Sequence, residues 1–399
     1  MSNGEILHIT KDEKFIDGAY YLFEKAFPNR NRFVVLKPPA DPPIRYLNKK
    51  LVAKAEFKII SRSTIKQLAD RSSEYSVTVL HGLNNEHALI YSSAVFKDRF
   101  MGIIHGGEIY NSGLMDIVLM GDETKKLYQN TSQTTFIERA KNLLRKIKYR
   151  NHKYPKQVDL LHILYQMQVF GSLPGISYQK YINEKIYNPF VQHIPFSYYP
   201  IDFIISDKDL RVQGKDILLG NSASATNNHL EAFELLSSIN LGDRKIITPL
   251  SYGSEKYAKA IVDEGQKLFG DQFVPLNKFL PIDEYNRVIS HCGIVIMNHY
   301  RPQAMGNIIA ALYMGAKVFL NTTNVYEYFK GLGCHIFLID EDLTSQKKPF
   351  ELLSSNQVMH NRAVLEELLS TAVLVEEMRK AFKDIFDYNN TLNQQEVAL

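Results

Sequence analysis

The chain has 399 residues, of which 45% are hydrophobic and 23% charged, and a net charge of +4. That length exceeds what one core usually holds and points to two globular domains, and the composition is not that of a disordered or disulfide-stapled chain. Residues 1–15 hold no apolar signal-like run, and the longest apolar runs, 293–297 and 308–314, are too short to cross a bilayer, so neither a secretory signal nor a spanning helix is expected.

From the start of the chain, residues 6–9 read as a strand. Residues 12–26 read as a helix with apolar positions at 15, 16, 19, 20, 22, 23 and 26. Runs at 33–36, 57–60, 77–80 and 101–104 read as further strands, with helices near 64–70 and 86–96 between the later ones. Strands alternating with helices of this length imply a parallel sheet covered on both faces, an α/β fold.

Between about 110 and 200 the pattern changes. From Lys125 to Lys156 ten Lys and Arg face a single acid, Glu138, so the remainder of the chain is net negative. Residues 136–148 read as a basic amphipathic helix. Residues 160–199, rich in Leu, Ile, Phe and Tyr, read as helical with a break at 171–175. A basic helix beside an aromatic-rich stretch suits an anionic membrane surface. Nucleic acid is the rival partner, but no recognised binding module accompanies it, and a merely solvated basic helix is the plain alternative.

The α/β alternation then resumes through strands at 216–219, 245–249, 272–274, 293–297 and 317–320. Helices are expected at 229–236, 254–268, 282–290 and 306–314. The domain boundary falls near 200–215. Cys292 and Cys334 lie in apolar contexts without metal-ligand spacing, as reduced core cysteines of a cytoplasmic protein would.

Three constellations carry chemistry. Between a strand and a helix, Gly220, Asn221, Ser222, Ser224 and Thr226 offer close backbone approach and hydroxyls. Asn227 or Asn228 is positioned to cap the next helix, whose N-terminal amides suit an anion. The same residue types also build ordinary turns. A second loop, 299–307, presents Arg301, whose fork can bond two phosphate oxygens, before a helix opened by Gly306 and Asn307. Arg301 also suits a plain surface ion pair. Both loops follow strands, where α/β sheets bind ligands.

The third constellation is His81-Gly82 with His105-Gly106-Gly107-Glu108, each after an apolar strand. A carboxylate or imidazole there is suited to accept a proton from an attacking hydroxyl, and a satisfied structural histidine is the alternative. No motif with metal-ligand spacing occurs, so no metal is expected. A nucleotide-sugar epimerase would need a GxGxxG fingerprint in the first βα turn, and residues 9–13 lack it.

These residues resemble the bacterial transferases that move 4-acetamido-4,6-dideoxygalactose from a dTDP-sugar to a polyprenyl-diphosphate-linked saccharide, the 4-alpha-L-fucosyltransferase family. The likeness runs through Gly220-Asn221-Ser222, Asn227, His229, Pro249, Tyr252, residues 279–285 and 303–320. In the first half it is carried by His81-Gly82 and Gly106-Gly107-Glu108-Ile109-Tyr110. Segments 37–75 and 150–215 stand outside it. Two motifs depart from the family pattern: His105 replaces an aromatic residue, and Tyr252 sits in Leu-Ser-Tyr-Gly rather than Met-Gly-Tyr.

The resemblance implies a GT-B architecture of two Rossmann-like domains. The acceptor domain is expected at 1–205, with a basic and apolar helical insertion near 125–200. The nucleotide-sugar domain is expected at 206–399, its C-terminal helices free to pack back on the first. It implies metal-independent hexosyl transfer without a cofactor, with Gly220, Asn221, Ser222, Gln303, Gly306 and Asn307 at the donor, to which the loop chemistry adds Asn227, Tyr252 and Arg301. Glu108, assisted by His81 and His105, stands at the acceptor, as base if the reaction inverts the anomeric centre and as a positioning group if it retains it. The expected setting is the cytoplasmic face of the bacterial inner membrane, with peripheral attachment through residues 125–156, in surface-polysaccharide assembly and with no nucleic acid partner. A non-catalytic sugar- or nucleotide-binding scaffold, or another nucleotide-sugar enzyme, is the competing expectation.

Overall fold

A computed structural model describes residues 4–110, 117–132, 158–172, 178–344 and 348–397. The apolar runs of the first half form parallel strands β1 (Ile6–Thr10), β2 (Asn31–Lys37), β3 (Glu56–Ile59), β4 (Val77–His81) and β5 (Phe100–Ile103). Every residue of β1, β4 and β5 is buried, as expected for strands covered on both faces. Helix Ile16–Ala26 starts later than the apolar period suggests, because residues 11–15 form the loop that leaves β1. Helix Arg62–Arg71 is capped by Ser61, and helix Asn85–Ser93 by Asn84, whose carboxamide oxygen accepts the N–H groups of Glu86 and His87.

The helical reading of 160–199 is corrected. Among the described residues of this stretch, only Leu160–Gln166 and Tyr178–Asn183 are helical, while Val169–Ser172 (β6) and Gln192–Pro195 (β7) are strands that extend the sheet to the order β3-β2-β1-β4-β5-β6-β7. Gly171 is not a break. It lies opposite Ile103 in β5, and a Cβ there would stand 2.3 Å from Met101 Cε. Gly102 makes the reciprocal space: its Cβ would lie 2.7 Å from the Phe170 ring. Each strand places a large side chain where its neighbour has none.

The second sheet is also wholly parallel. Its strands are β8 (Ile217–Leu219), β9 (Ile246–Pro249), β10 (Phe273–Leu276), β11 (Ile294–Met297), β12 (Lys317–Leu320) and β13 (Phe337–Leu338), in the order β10-β9-β8-β11-β12-β13. Phe233, Ile261, Ile294 and Phe319 are buried in its core. Ser254 caps helix Glu255–Phe269, and Ser354 and Gln357 form a capping box on helix Ser355–Leu369.

The chain divides into two compact units. The first comprises Met1–Met115, Phe136–Pro200 and Thr371–Leu399, and the second Asp116–Thr135 and Ile201–Ser370. The main division falls at 200/201, with segment 116–135 joining the second unit and segment 371–399 the first. Within the first unit the C-terminal helix packs on helix Ile16–Ala26, Phe382 meeting Phe23 and Phe27 ring to ring. Within the second, helix Asp122–Ser132 is tied down by Thr124, whose N–H donates to Glu231 Oε1 at 2.9 Å. The basic helix expected at 136–148 lies outside the described residues. Cys292 and Cys334 are free and buried.

Candidate active site

In an open parallel sheet the loops at the strand carboxyl ends diverge where the strand order reverses, and a crevice forms there. In the first sheet that point lies between β1 and β4, and in the second between β8 and β11. All three constellations fall at or beside these points.

In the first unit, β4 ends on His81, which stands opposite Ile103 of β5, so His81-Gly82 and the turn 104–108 are neighbours. The Glu108 carboxylate joins the two turns. Its Oε1 accepts the Leu83 N–H at 3.0 Å, and its Oε2 accepts the His105 N–H at 3.1 Å. Glu108 Oε1 stands 3.9 Å from His105 Nδ1. Gly82 has φ +79°, a conformation that side-chain-bearing residues rarely adopt. A Cβ at that position would lie 3.0 Å from His105 Nδ1 and 3.1 Å from Glu108 Oε1. The missing Cβ keeps open the space between imidazole and carboxylate.

Of the three groups singled out from sequence, His105 and Glu108 retain some exposure, while His81 is buried. Burial pushes the His81 pKa far down, with the nearby His8, His105 and His87 adding to the effect. Both ring nitrogens of His81 are taken, Nδ1 by the Tyr198 hydroxyl at 2.9 Å and Nε2 by His8 Nδ1 at 3.0 Å. A direct part for His81 in proton abstraction is therefore corrected: its hydrogen-bonded link to the turn runs through Tyr198, whose oxygen lies 3.0 Å from His105 Nε2.

Sequence reasoning missed Tyr198, His8 and Phe15. Phe15, from the loop after β1, packs edge-on against His105 at 4.3 Å. Burial lowers the His105 pKa, and Glu108 pulls it back up.

In the second unit, the loop between β8 and helix His229–Ser237 is organised by Asn227, which is fully buried. Its Oδ1 accepts the Asn221 N–H at 2.9 Å, and its Nδ2 donates to the Ser222 and Ser224 carbonyls. His299, after β11, also donates to that Oδ1, at 2.9 Å. Asn227 thus shapes the loop from within. The expected helix cap is corrected too: Asn228 occupies the N-cap position in a left-handed conformation and makes no side-chain cap bond. Its side chain instead accepts the Gly121 N–H and donates to the Asn298 carbonyl.

Gln303 connects the two loops. It accepts from Thr226 Oγ1 at 2.7 Å and donates to Asn221 Oδ1 at 3.2 Å. Gly306 and Asn307 lie in the first turn of helix Met305–Met314, and Asn307 donates to Tyr285. The Tyr252 carbonyl receives the Ala223 N–H at 2.6 Å, fixing the turn that follows β9 against the 220–227 loop.

A cavity of about 170 Å3, counting its open mouth, is lined by His299, Arg301, Gln303, Thr323 and apolar residues that include Met297 and Val325. Burial holds both His229 and His299 near a pKa of about 3, so neither is charged at neutral pH. Positive potential here comes from Arg301 and the helix N-terminus. Among the described residues no group of three or more His, Cys, Asp or Glu could hold a metal ion, and no helix is long and apolar enough to cross a membrane.

A family model described as 4-alpha-L-fucosyltransferase, glycosyl transferase group 56, matches residues 44–348. Among solved structures, the Anabaena protein HepE in complex with UDP-glucose is 11% identical, with a TM-score of 0.62 over 95% of this chain and 99% of that one. Sucrose-phosphate synthase from Thermosynechococcus elongatus is 10% identical, with a TM-score of 0.60 over 96% of this chain and 100% of the other. A glycosyltransferase from Rickettsia africae is 12% identical, with a TM-score of 0.60 over 96% and 99%. At these identities the likeness is one of fold, and with the two parallel sheets it gives the fold class as α/β of the GT-B type.

Proposed function

From the premise that this chain belongs to the 4-alpha-L-fucosyltransferase family, glycosyltransferase group 56, and is a hexosyltransferase-type glycosyltransferase, we propose the reaction it catalyses. It moves a deoxyamino sugar of the 4-acetamido-4,6-dideoxy class from a dTDP-type donor to a polyprenyl-diphosphate-linked saccharide. The observation that carries the donor side is the convergence of the 220–227 loop, Arg301 and the start of helix Met305–Met314 at the second sheet's switch point. The fold likeness to HepE, whose structure holds UDP-glucose, supports a nucleotide-sugar donor.

In this reading the departing diphosphate is neutralised by the Arg301 guanidinium and the helix amides, without a divalent ion. Gln303, held by Thr226 and Asn221, keeps the two loops in register. At the first unit, the acceptor hydroxyl gives its proton to His105 Nδ1 as its oxygen forms the bond to the anomeric carbon. The bond from that carbon to the diphosphate oxygen breaks, and the electron pair leaves with the nucleotide. Glu108, its position fixed by two backbone N–H groups, stabilises the imidazolium. A base built in this way supports inversion of the anomeric centre. The basic stretch up to Lys156 would bring the enzyme to anionic lipid on the cytoplasmic face of the inner membrane, where a polyprenyl acceptor resides.

Thermal shift tests the donor site. With dTDP, UDP, GDP, ADP and CMP, with and without magnesium, one nucleotide at 100 times its Kd adds about 2.7 kcal/mol. That raises Tm by several degrees. The shift is expected with dTDP or UDP, independent of magnesium and lost in Arg301→Ala. No shift with any nucleotide at millimolar concentration would turn the reading toward a scaffold.

A further inference from the structure

Four side chains behind His105 form one unbroken line in the first unit, and the line has a direction. It ends on Asn31, in β2. The Asn31 amide nitrogen donates to the Phe23 carbonyl at 3.2 Å, the Phe27 carbonyl at 2.8 Å and Glu24 Oε1 at 2.8 Å. Two of these partners are carbonyl oxygens that can only accept, so the amide orientation is fixed and Oδ1 must face His8 Nε2, 3.1 Å away. An oxygen without hydrogens there obliges His8 to carry its proton on Nε2.

Burial keeps His8 neutral, with a pKa of about 3, so its Nδ1 is bare and accepts from His81 Nε2. His81, neutral for the same reason, then has a bare Nδ1 that accepts the Tyr198 O–H. With its hydrogen spent on His81, Tyr198 offers only its oxygen to His105 Nε2, which must donate. The reverse polarity would set the His8 Nε2 lone pair against the Asn31 oxygen.

We propose that Tyr198 is a positioning residue: as the last member of the line Asn31–His8–His81–Tyr198, it locks His105 in the Nε2–H tautomer and leaves the Nδ1 lone pair facing the space beside Gly82 and Glu108. The proposal rests on the reading of His105 Nδ1 as the proton acceptor. The line is a lock and not an exit for protons, because the Asn31 amide at its far end cannot take one up. A proton received at Nδ1 leaves by Nδ1, and meanwhile Nε2–H donates more strongly to the Tyr198 oxygen.

The test is 15N NMR of the full-length protein labelled at histidine imidazoles, with His105→Gln used to identify the His105 signals. Wild-type His105 is expected to show a protonated Nε2 and a bare Nδ1. In Tyr198→Phe, which removes only the hydroxyl, the signals become those of a tautomer mixture. Its kcat falls about tenfold or more, and KM for the donor stays unchanged. A wild-type His105 protonated on Nδ1, or a Tyr198→Phe protein with unchanged signals and kcat, overturns the lock. The wild-type spectrum decides the matter even if the variant does not fold. Full turnover by His105→Gln overturns the base reading instead, while a pure Nε2–H His105 in the wild type still upholds the lock.

Discussion

Acid should unfold this protein well before its carboxylates titrate. His8 and His87 in the first unit, and His229 and His299 in the second, are fully buried, and burial holds each pKa near 3 against an ordinary 6.5. A histidine with a lowered folded pKa takes up a proton on unfolding. The contribution of its neutral burial is complete above pH 6.5 and is lost progressively as pH falls from 6.5 toward 3. At pH 5.5 each such group costs about 1.4 kcal/mol, so each unit loses about 3 kcal/mol from its two. That is a large share of a typical stability of about 5–15 kcal/mol. His81 and His105 act in the same direction. Urea denaturation at pH 7.5 and 5.5 measures the difference, followed by circular dichroism because the chain has no Trp. The predicted result is a midpoint that drops sharply with an unchanged m-value. Equal midpoints at the two pH values would refute the assignment of these histidines as buried and neutral.

Other perturbations separate the parts of the site. Gly82→Ala places a methyl group about 3 Å from His105 Nδ1 and Glu108 Oε1 in a left-handed conformation. It should cost about 1–2 kcal/mol of stability and abolish most turnover, with nucleotide affinity intact; normal kcat would show that this space is not used. Glu108→Gln keeps an acceptor for the Leu83 N–H but removes the charge beside His105. Turnover should fall about 100-fold in a folded protein, and near-normal turnover would remove Glu108 from the chemistry. Liposome flotation should show binding that needs anionic lipid and weakens with salt. Binding indifferent to both would contradict electrostatic docking through residues 125–156.

The strands were legible wherever burial on both faces produced near-continuous apolar runs, as in β1, β4, β11 and β12. β6 and β7 were not, because the signal that makes Gly171 a strand residue is Met101 in a neighbouring strand, and no local period carries that. The loops at 220–227 and 299–307 were legible as strand-end loops because turn residues at the ends of apolar strands are a local pattern. What Asn227 does was hidden, since the same carboxamide serves equally as a ligand group or as an internal brace until its burial is known. His81, His105 and Glu108 could be picked out as neighbours from strand order. Tyr198 could not, because its partner His81 is 117 positions away and its own segment read as helix.

The most direct test of glycosyl transfer is product formation from a purified dTDP-linked 4-acetamido-4,6-dideoxy sugar and a polyprenyl-diphosphate-linked saccharide, with radiolabel in the sugar. Label is expected in the lipid fraction, with one dTDP released per sugar moved, and both are abolished in Arg301→Ala. Tight nucleotide binding with no label transferred to any lipid-linked saccharide would contradict glycosyl transfer.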